Sequence, residues 1–271
     1  MTTDFTPPAS WEISPKYKQS LSPNNRRPKT QQAFLLCYLE KGCGSLIVNT
    51  QVFGFVAPGV YGVPLDLIHT FVNADPLKPF KLHQTWITEE AELRPYRKCI
   101  RRPLRNEILQ LKNISFTTEP RIYQLFCVKN REFKPTMNPI IRQINGGCYK
   151  RIAVPPLEFD AAEDHNQLLE IIDFTLAHYR KPFSIYELAG AVNQTPLEVC
   201  QFFKEQCKRP YVQFLKSLRL EQAKSLMQGY PDKSCAEIAL EVGFDNTAQL
   251  SRSFKNNLQM SVTAYRKSLQ D

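Results

Sequence analysis

Much of what marks an enzyme, a membrane protein or a secreted protein is missing from this chain. Its eight cysteines, at 37, 43, 99, 127, 148, 200, 207 and 235, include no Cys-x-x-Cys pair. Structural zinc sites usually bring their ligands in such close pairs, so a zinc centre is not expected. The four histidines stand alone, with no His-x-His. His69 and His83 therefore read as packed or surface groups rather than as ligands of a cupin metal site. No paired carboxylates, nucleophile elbow or phosphate-binding loop is found in the N-terminal half, so neither catalytic residues nor cofactors are expected. No apolar run reaches the length of a membrane span. The first residues, Met1-Thr2-Thr3-Asp4-Phe5, lack the basic and apolar regions of a secretory signal. The expected setting is the cytoplasm, where the cysteines are small buried hydrophobes. Cys37, Cys43 and Cys99 are the first places to look for a redox sensor.

What is present is a stretch that says one thing twice. Ser184-Ile185-Tyr186-Glu187-Leu188-Ala189-Gly190-Ala191-Val192 is echoed fifty residues on by Ser234-Cys235-Ala236-Glu237-Ile238-Ala239-Leu240-Glu241-Val242. In both, a Ser with a Glu three residues later forms a capping box, closing amide donors that a helix start leaves open. Apolar residues then recur at i, i+3, i+4 and i+7, one buried stripe on a short helix. Thr195-Pro196-Leu197-Glu198 begins a second helix with a further box and Pro at the first helical position. Its counterpart is Asn246-Thr247-Ala248-Gln249, now offset by fifty-one. Val199 and Phe203 match Leu250 and Phe254 as inward positions. Cys200, Gln201 and Lys204 match Ser251, Arg252 and Lys255 as outward ones. Two helix-turn-helix units in tandem are expected, although helical hairpins of this size also serve as purely structural repeats.

Between the units, Pro210 to Gln228 reads as a helix with a narrow polar strip of Gln213, Ser217, Glu221, Lys224 and Gln228. A helix wet along so little of its circumference is a packed strut. Nineteen residues span about 28 Å, comparable with the roughly 34 Å between major-groove faces one turn apart. Gln167 to Tyr179 forms a further helix ahead of the first unit.

The charge lies elsewhere. Of the net +9, residues 1–157 hold 22 Lys and Arg against 11 Asp and Glu, and residues 158–271 hold 13 against 15. A few local cations must carry any DNA contact in the helical half. The densest basic run, Arg94 to Arg105, makes Arg97, Lys98, Arg101 and Arg102 the candidate anion site, for an acidic small molecule or an acidic partner.

Residues 1–31 read as a flexible leader, rich in Pro, Ser, Asn and Lys/Arg. From Ala33 to Ile87 short apolar runs alternate with turn residues, the texture of a barrel or jelly roll. Strands are expected at 34–39, 46–48, 52–56, 68–72 and 80–87, and a helix at 104–111. The apolar run 122–128 stays unassigned. Pro155-Pro156 through Asp164 marks the boundary between domains.

Residues 167–268 resemble the DNA-binding domain of the AraC/XylS family of bacterial transcription regulators. The resemblance rests on Leu218-Arg219-Leu220-Glu221-Gln222-Ala223-Lys224, on Glu237-Ile238-Ala239-Leu240-Glu241-Val242-Gly243-Phe244, on Ser251-Arg252-Ser253-Phe254-Lys255 and on Tyr265-Arg266. The N-terminal half looks like the cupin-like regulatory domain of many members. The chain departs from the family at Gln201, where Arg is usual, at Lys208, where Gly is usual, at Ala248-Gln249-Leu250 and at Ser261-Val262.

The resemblance implies two domains. Residues 32–157 are a mostly β, cupin-like regulatory and dimerisation domain with a few helices, 158–166 a linker, and 167–268 an all-α domain of two helix-turn-helix units. It also implies an activator that inserts two recognition helices into successive major grooves of double-stranded DNA and works with RNA polymerase. The DNA-facing residues it implies are Leu197, Cys200, Gln201 and Lys204, then Thr247, Ala248, Ser251, Arg252 and Lys255. For the effector, a fatty acid is one candidate and a regulatory protein another. Self-association as a homodimer belongs to the same expectation. A cupin-type enzyme fused to a DNA-binding module is the alternative.

Overall fold

The computed structural model describes residues 34–64, 67–78, 81–87, 107–111, 149–157, 159 and 162–269. The leader, the basic run at 94–105 and the apolar run at 122–128 lie outside them.

Among the described residues eight strands precede seven helices. The strands are β1 (Phe34–Lys41), β2 (Cys43–Val48), β3 (Gln51–Val56), β4 (Gly59–Pro64), β5 (His69–Asn73), β6 (Lys81–Ile87), β7 (Glu107–Leu111) and β8 (Tyr149–Ala153). They form two antiparallel sheets, in the orders β6-β1-β4-β7-β8 and β3-β2-β5. Gly42, at φ +97°, turns the chain from the first sheet into the second. A left-handed corner of this kind is open to glycine at no steric cost. Between the sheets lies one core, where Leu46, Val48, Phe55 and Phe71 meet Leu39, Tyr61 and Val63. The rings of Phe55 and Phe71 sit 5.7 Å apart, with Tyr61 edge-on to Phe71 at 6.4 Å.

Two elements differ from the sequence expectation. Residues 107–111 are a strand, not the end of a helix: Glu-Ile-Leu-Gln-Leu pairs with both β4 and β8. A five-residue apolar segment has no period long enough to separate helix from strand, and the two available partners decide it. β4, read only as a turn at Pro58-Gly59, pairs with β1 from Phe34↔Pro64 to Leu39↔Gly59. Among the described residues of 34–157 there is no helix.

The helices are α1 (Ala162–His178), α2 (Ile185–Ala191), α3 (Pro196–Cys207), α4 (Tyr211–Gly229), α5 (Cys235–Glu241), α6 (Thr247–Leu258) and α7 (Val262–Lys267). α1 begins inside the stretch 158–166 expected to be linker, so only a few residues separate the last strand from the first helix. No helix among the described residues is long and apolar enough to cross a membrane.

α4 is the axis of the helical half. Its first turns, through Tyr211, Phe214 and Leu218, join a core with α1, α2 and α3. Its last turns, through Leu220, Ala223, Leu226 and Met227, join a second core with α5, α6 and α7. Ile47, Ile68 and Val72 reach into the first of these cores, and Cys43 and Ala74 into the second. Strand β2 is therefore buried along its whole length, with Leu46 and Val48 turned to the sheet core and Ile47 to the helices.

Glu221, one member of the polar strip read on α4, takes a different role, together with Gln222 and Ser225 beside it. Glu221 Oε2 accepts from the amide of Gly54 at 3.0 Å, and Ser225 Oγ donates to the carbonyl of Gly44 at 2.6 Å. Gln222, fully buried, donates to the carbonyl of Val72 at 3.3 Å. Glycine at 54 permits this approach, because a Cβ there would meet Glu221 Oε2 at 2.8 Å and Ser225 Oγ at 2.9 Å. The strut is thus fastened to the three-stranded sheet, and polar groups that look solvated in sequence serve as hydrogen-bonding partners of backbone.

Candidate nucleic-acid interface

The two helical units repeat one backbone plan. α2 and α5 are both seven residues long, and α3 and α6 both twelve. Left-handed residues fall at matching places: Asn193 and Gly243 in the turns, Lys208 and Gln259 after the second helices. Ser184, Thr195 and Ser234 close full capping boxes with Glu187, Glu198 and Glu237. Hydrogen bonds from the cap backbone and hydroxyl pull the Glu187 and Glu198 carboxyls below their usual range. For Glu237 the Ser234 side chain is the larger cause.

The fourth cap departs from the box expected of it. Asn246 accepts from the Gln249 amide at 3.0 Å, but the Gln249 side chain does not return to the cap. It pairs instead with Asp245, donating from Nε2 to the carboxylate and accepting from the Asp245 amide at 3.5 Å. A neutral amide that closes a hydrogen-bonded ring with its neighbour is held for positioning rather than free to probe a base. Asp245 is a residue that sequence reasoning missed. Its only signal is an acid four residues before a Gln at a helix start.

Each second helix is pinned by fully buried residues, Val199 and Phe203 in α3, Leu250 and Phe254 in α6. The opposite faces are open. Leu197, Cys200, Gln201 and Lys204 are all exposed, at the i, i+3, i+4, i+7 spacing of one helix face. Thr247, Ala248, Ser251, Arg252 and Lys255 are exposed on the matching face of α6. Leu197 keeps 67% of its surface in solvent, which a side chain filling a core would not. An exposed leucine flanked by Gln and Lys at the start of a helix offers apolar contact beside hydrogen-bonding groups, the combination that base edges in the major groove accept.

The other candidates fare differently. Arg97, Lys98, Arg101 and Arg102 lie outside the described residues. Burial pushes the His69 imidazole down from its usual range, and its Nδ1 lies 3.0 Å from the Leu67 carbonyl. Among the described residues no three His, Cys, Asp or Glu gather where they could hold a metal ion. Burial raises the thiols of Cys43 and Cys207 to about 12. Since the thiolate is the reactive form, neither suits a redox sensor.

Residues 188–268 match the family model described as a helix-turn-helix domain. An HTH-type transcriptional regulator of Bacillus subtilis, YdeC, is 22% identical over 113 residues, which is 41% of this chain and 38% of the relative. A second such regulator, from Staphylococcus aureus, is 29% identical over 97 residues, 36% of this chain and 13% of the relative. The chain thus spans well under half the length of both. Among solved structures, an AraC-type DNA-binding-domain regulator from Chromobacterium violaceum covers 40% of this chain and 96% of its own at 23% identity, with a TM-score of 0.36. The C-terminal region of this chain is a helix-turn-helix domain.

Proposed function

We propose that the chain is a sequence-specific transcription regulator that lays α3 and α6 in successive major grooves of double-stranded DNA. One observation carries the reading. Two helices of equal length, each anchored by a buried Val or Leu and a Phe, hold nine exposed side chains on matching faces. α4 supports the two-groove reading, its nineteen residues setting a separation of about 28 Å between the units.

Arg252 is the principal base reader, because its fork suits the two acceptors of guanine, and Gln201 suits adenine. Leu197, Cys200, Thr247, Ala248 and Ser251 complete the two surfaces, with Lys204 and Lys255 at their edges. The N-terminal half is the regulatory part, and its paired antiparallel sheets suit a cupin-like jelly roll. It carries no catalytic function in this reading. Its signal is an acidic small molecule bound by Arg97, Lys98, Arg101 and Arg102. The protein acts in the cytoplasm as an activator with RNA polymerase as its partner, and two copies pair through the N-terminal half.

The test begins with a site selected from a random duplex library by the full chain. Arg252→Ala then weakens binding by about 1–3 kcal/mol and relaxes preference at one base pair. Unchanged affinity and preference in that variant would sink the assignment.

A further inference from the structure

Sheet, strut and both helical units meet at one corner of the chain, formed by Tyr179, Arg180 and Lys181. One nitrogen of the Arg180 guanidinium donates to the carbonyls of Asn73 and Ala74, both at 2.8 Å, where β5 leaves the sheet. Its other terminal nitrogen donates to the carbonyl of Glu241 at 3.2 Å, the last residue of α5. Carbonyls at the end of a helix lack intrahelical partners and carry the negative end of its dipole, so a cation is held there. Arg219 of α4 grips the same corner, Nε to the Tyr179 carbonyl at 2.8 Å and a terminal nitrogen to the Lys181 carbonyl at 3.2 Å.

The two arginines divide the work. Arg219 ties the entry of the first unit to the strut. Arg180 ties that same entry to the second unit and, at once, to the N-terminal sheet. The planar fork, with its donors held in fixed directions, reaches carbonyls of two separate elements from one side chain. α4 is itself laid on the sheet through Glu221, Gln222 and Ser225, so the sheet touches the assembly at the strut and at the corner.

We propose that Arg180 determines spacing: through it the N-terminal sheet fixes the separation and phase at which the two recognition helices meet DNA. The inference rests on the proposal that α3 and α6 both read DNA. Its consequence is that the regulatory half is part of the ruler, and a change in the setting of β5 reaches the second unit directly.

The experiment uses the full chain and the duplex it selects, with variants carrying one base pair added or removed between the half-sites. One base pair turns one half-site against the other by about a tenth of a turn. The wild-type chain loses about tenfold on such duplexes, since one helix must disengage when the geometry forbids both. Arg180→Met keeps the length of the stem and removes the donors. It binds the original duplex several-fold more weakly and distinguishes the spacing variants by less than about threefold. Arg180→Met with wild-type spacing discrimination overturns the proposal.

A second reading needs no DNA. Spin labels at Glu205→Cys and Asn256→Cys, on exposed positions of α3 and α6 in a chain whose eight native cysteines are replaced by Ser or Ala, report the distance between the helices. Arg180→Met broadens or shifts that distribution, and an unchanged distribution overturns the inference. If the chain selects no common duplex, the DNA-reading proposal has failed and the distances alone decide. Should Arg180→Met fail to fold, Arg180→Lys, which keeps the charge without the fork, is read in both assays by the same criteria.

Discussion

Gly243 is where the joint between the two helical units is most sensitive. It sits at φ +87°, and a Cβ built on it would lie 2.2 Å from the Tyr179 carbonyl oxygen and 3.0 Å from Arg219 Nε. Two costs therefore add in Gly243→Ala. The left-handed backbone costs an alanine about 1–2 kcal/mol. The carbonyl must also retreat from Arg219, which donates to it at 2.8 Å. Losing a hydrogen bond to a charged group costs a further 1.5–3 kcal/mol or so. The expected destabilisation is about 2.5–5 kcal/mol, read from the urea midpoint of the full chain at constant slope. Gly190 supplies the internal control: it lies in α2, fifty residues earlier than Leu240, and a Cβ there meets nothing within 4 Å. Gly190→Ala should gain roughly 0.5–1 kcal/mol, the ordinary preference of a helix interior for alanine. A loss below about 1 kcal/mol in Gly243→Ala would refute the reasoning, because the left-handed penalty alone accounts for that much.

Lys208 ends α3 at φ +53°, so Lys208→Gly removes a side chain from a left-handed position. It should stabilise the chain by up to about 1 kcal/mol, a rise of roughly 2–4 °C in Tm by calorimetry. The depressed carboxyls of Glu187, Glu198 and Glu237 set an acid limit. Their contribution is present above the unfolded carboxyl range near pH 4.3 and is lost as pH falls through the lower folded values, so replacing all three by Gln should flatten stability against pH below about 4. If Lys204 and Lys255 are the cations that meet phosphate while Arg252 reads guanine, log K should fall against log salt with a slope near −2. A slope near −8 would bring the basic N-terminal half onto the DNA and revise the division between the domains.

The helical half was legible because its signals are local. A capping box lies within four residues and a buried stripe within eight, so Ser184, Thr195 and Ser234 announce helix starts whatever surrounds them. The strands were legible where apolar runs were long, as in β1 and β3. They were not legible at β4, whose Gly59, Gly62 and Pro64 resemble loop chemistry, nor at β7, whose five residues gain their conformation from β4 and β8. Tertiary pairing overrides propensity most easily in elements this short. The interdomain contacts were illegible for another reason. Arg180, Gln222 and Ser225 all bond to backbone carbonyls, which every residue possesses, so no complementary side chain in the sequence marks the partner.

That distinction separates the two halves of the proposed DNA site. Which residues face outward follows from periodicity: the six outward positions read from it are exposed on α3 and α6, as are Leu197, Thr247 and Ala248, which the family resemblance added. What the faces recognise does not follow, because the two copies share a backbone and differ in chemistry. Lys204 and Lys255 are equivalent, but Gln201 stands where Arg252 stands, and exposed Leu197 is matched by Ala248. The first unit therefore presents a partly apolar surface with one cation, and the second a surface with two cations, one of them a bidentate donor. In the proposed reading, guanine contact is concentrated on α6, and α3 depends on being delivered at the right distance and angle. The first unit's contribution thus hangs on the rigidity of α4 and of the corner at Arg180, which places specificity as much in the joints as in the reading residues.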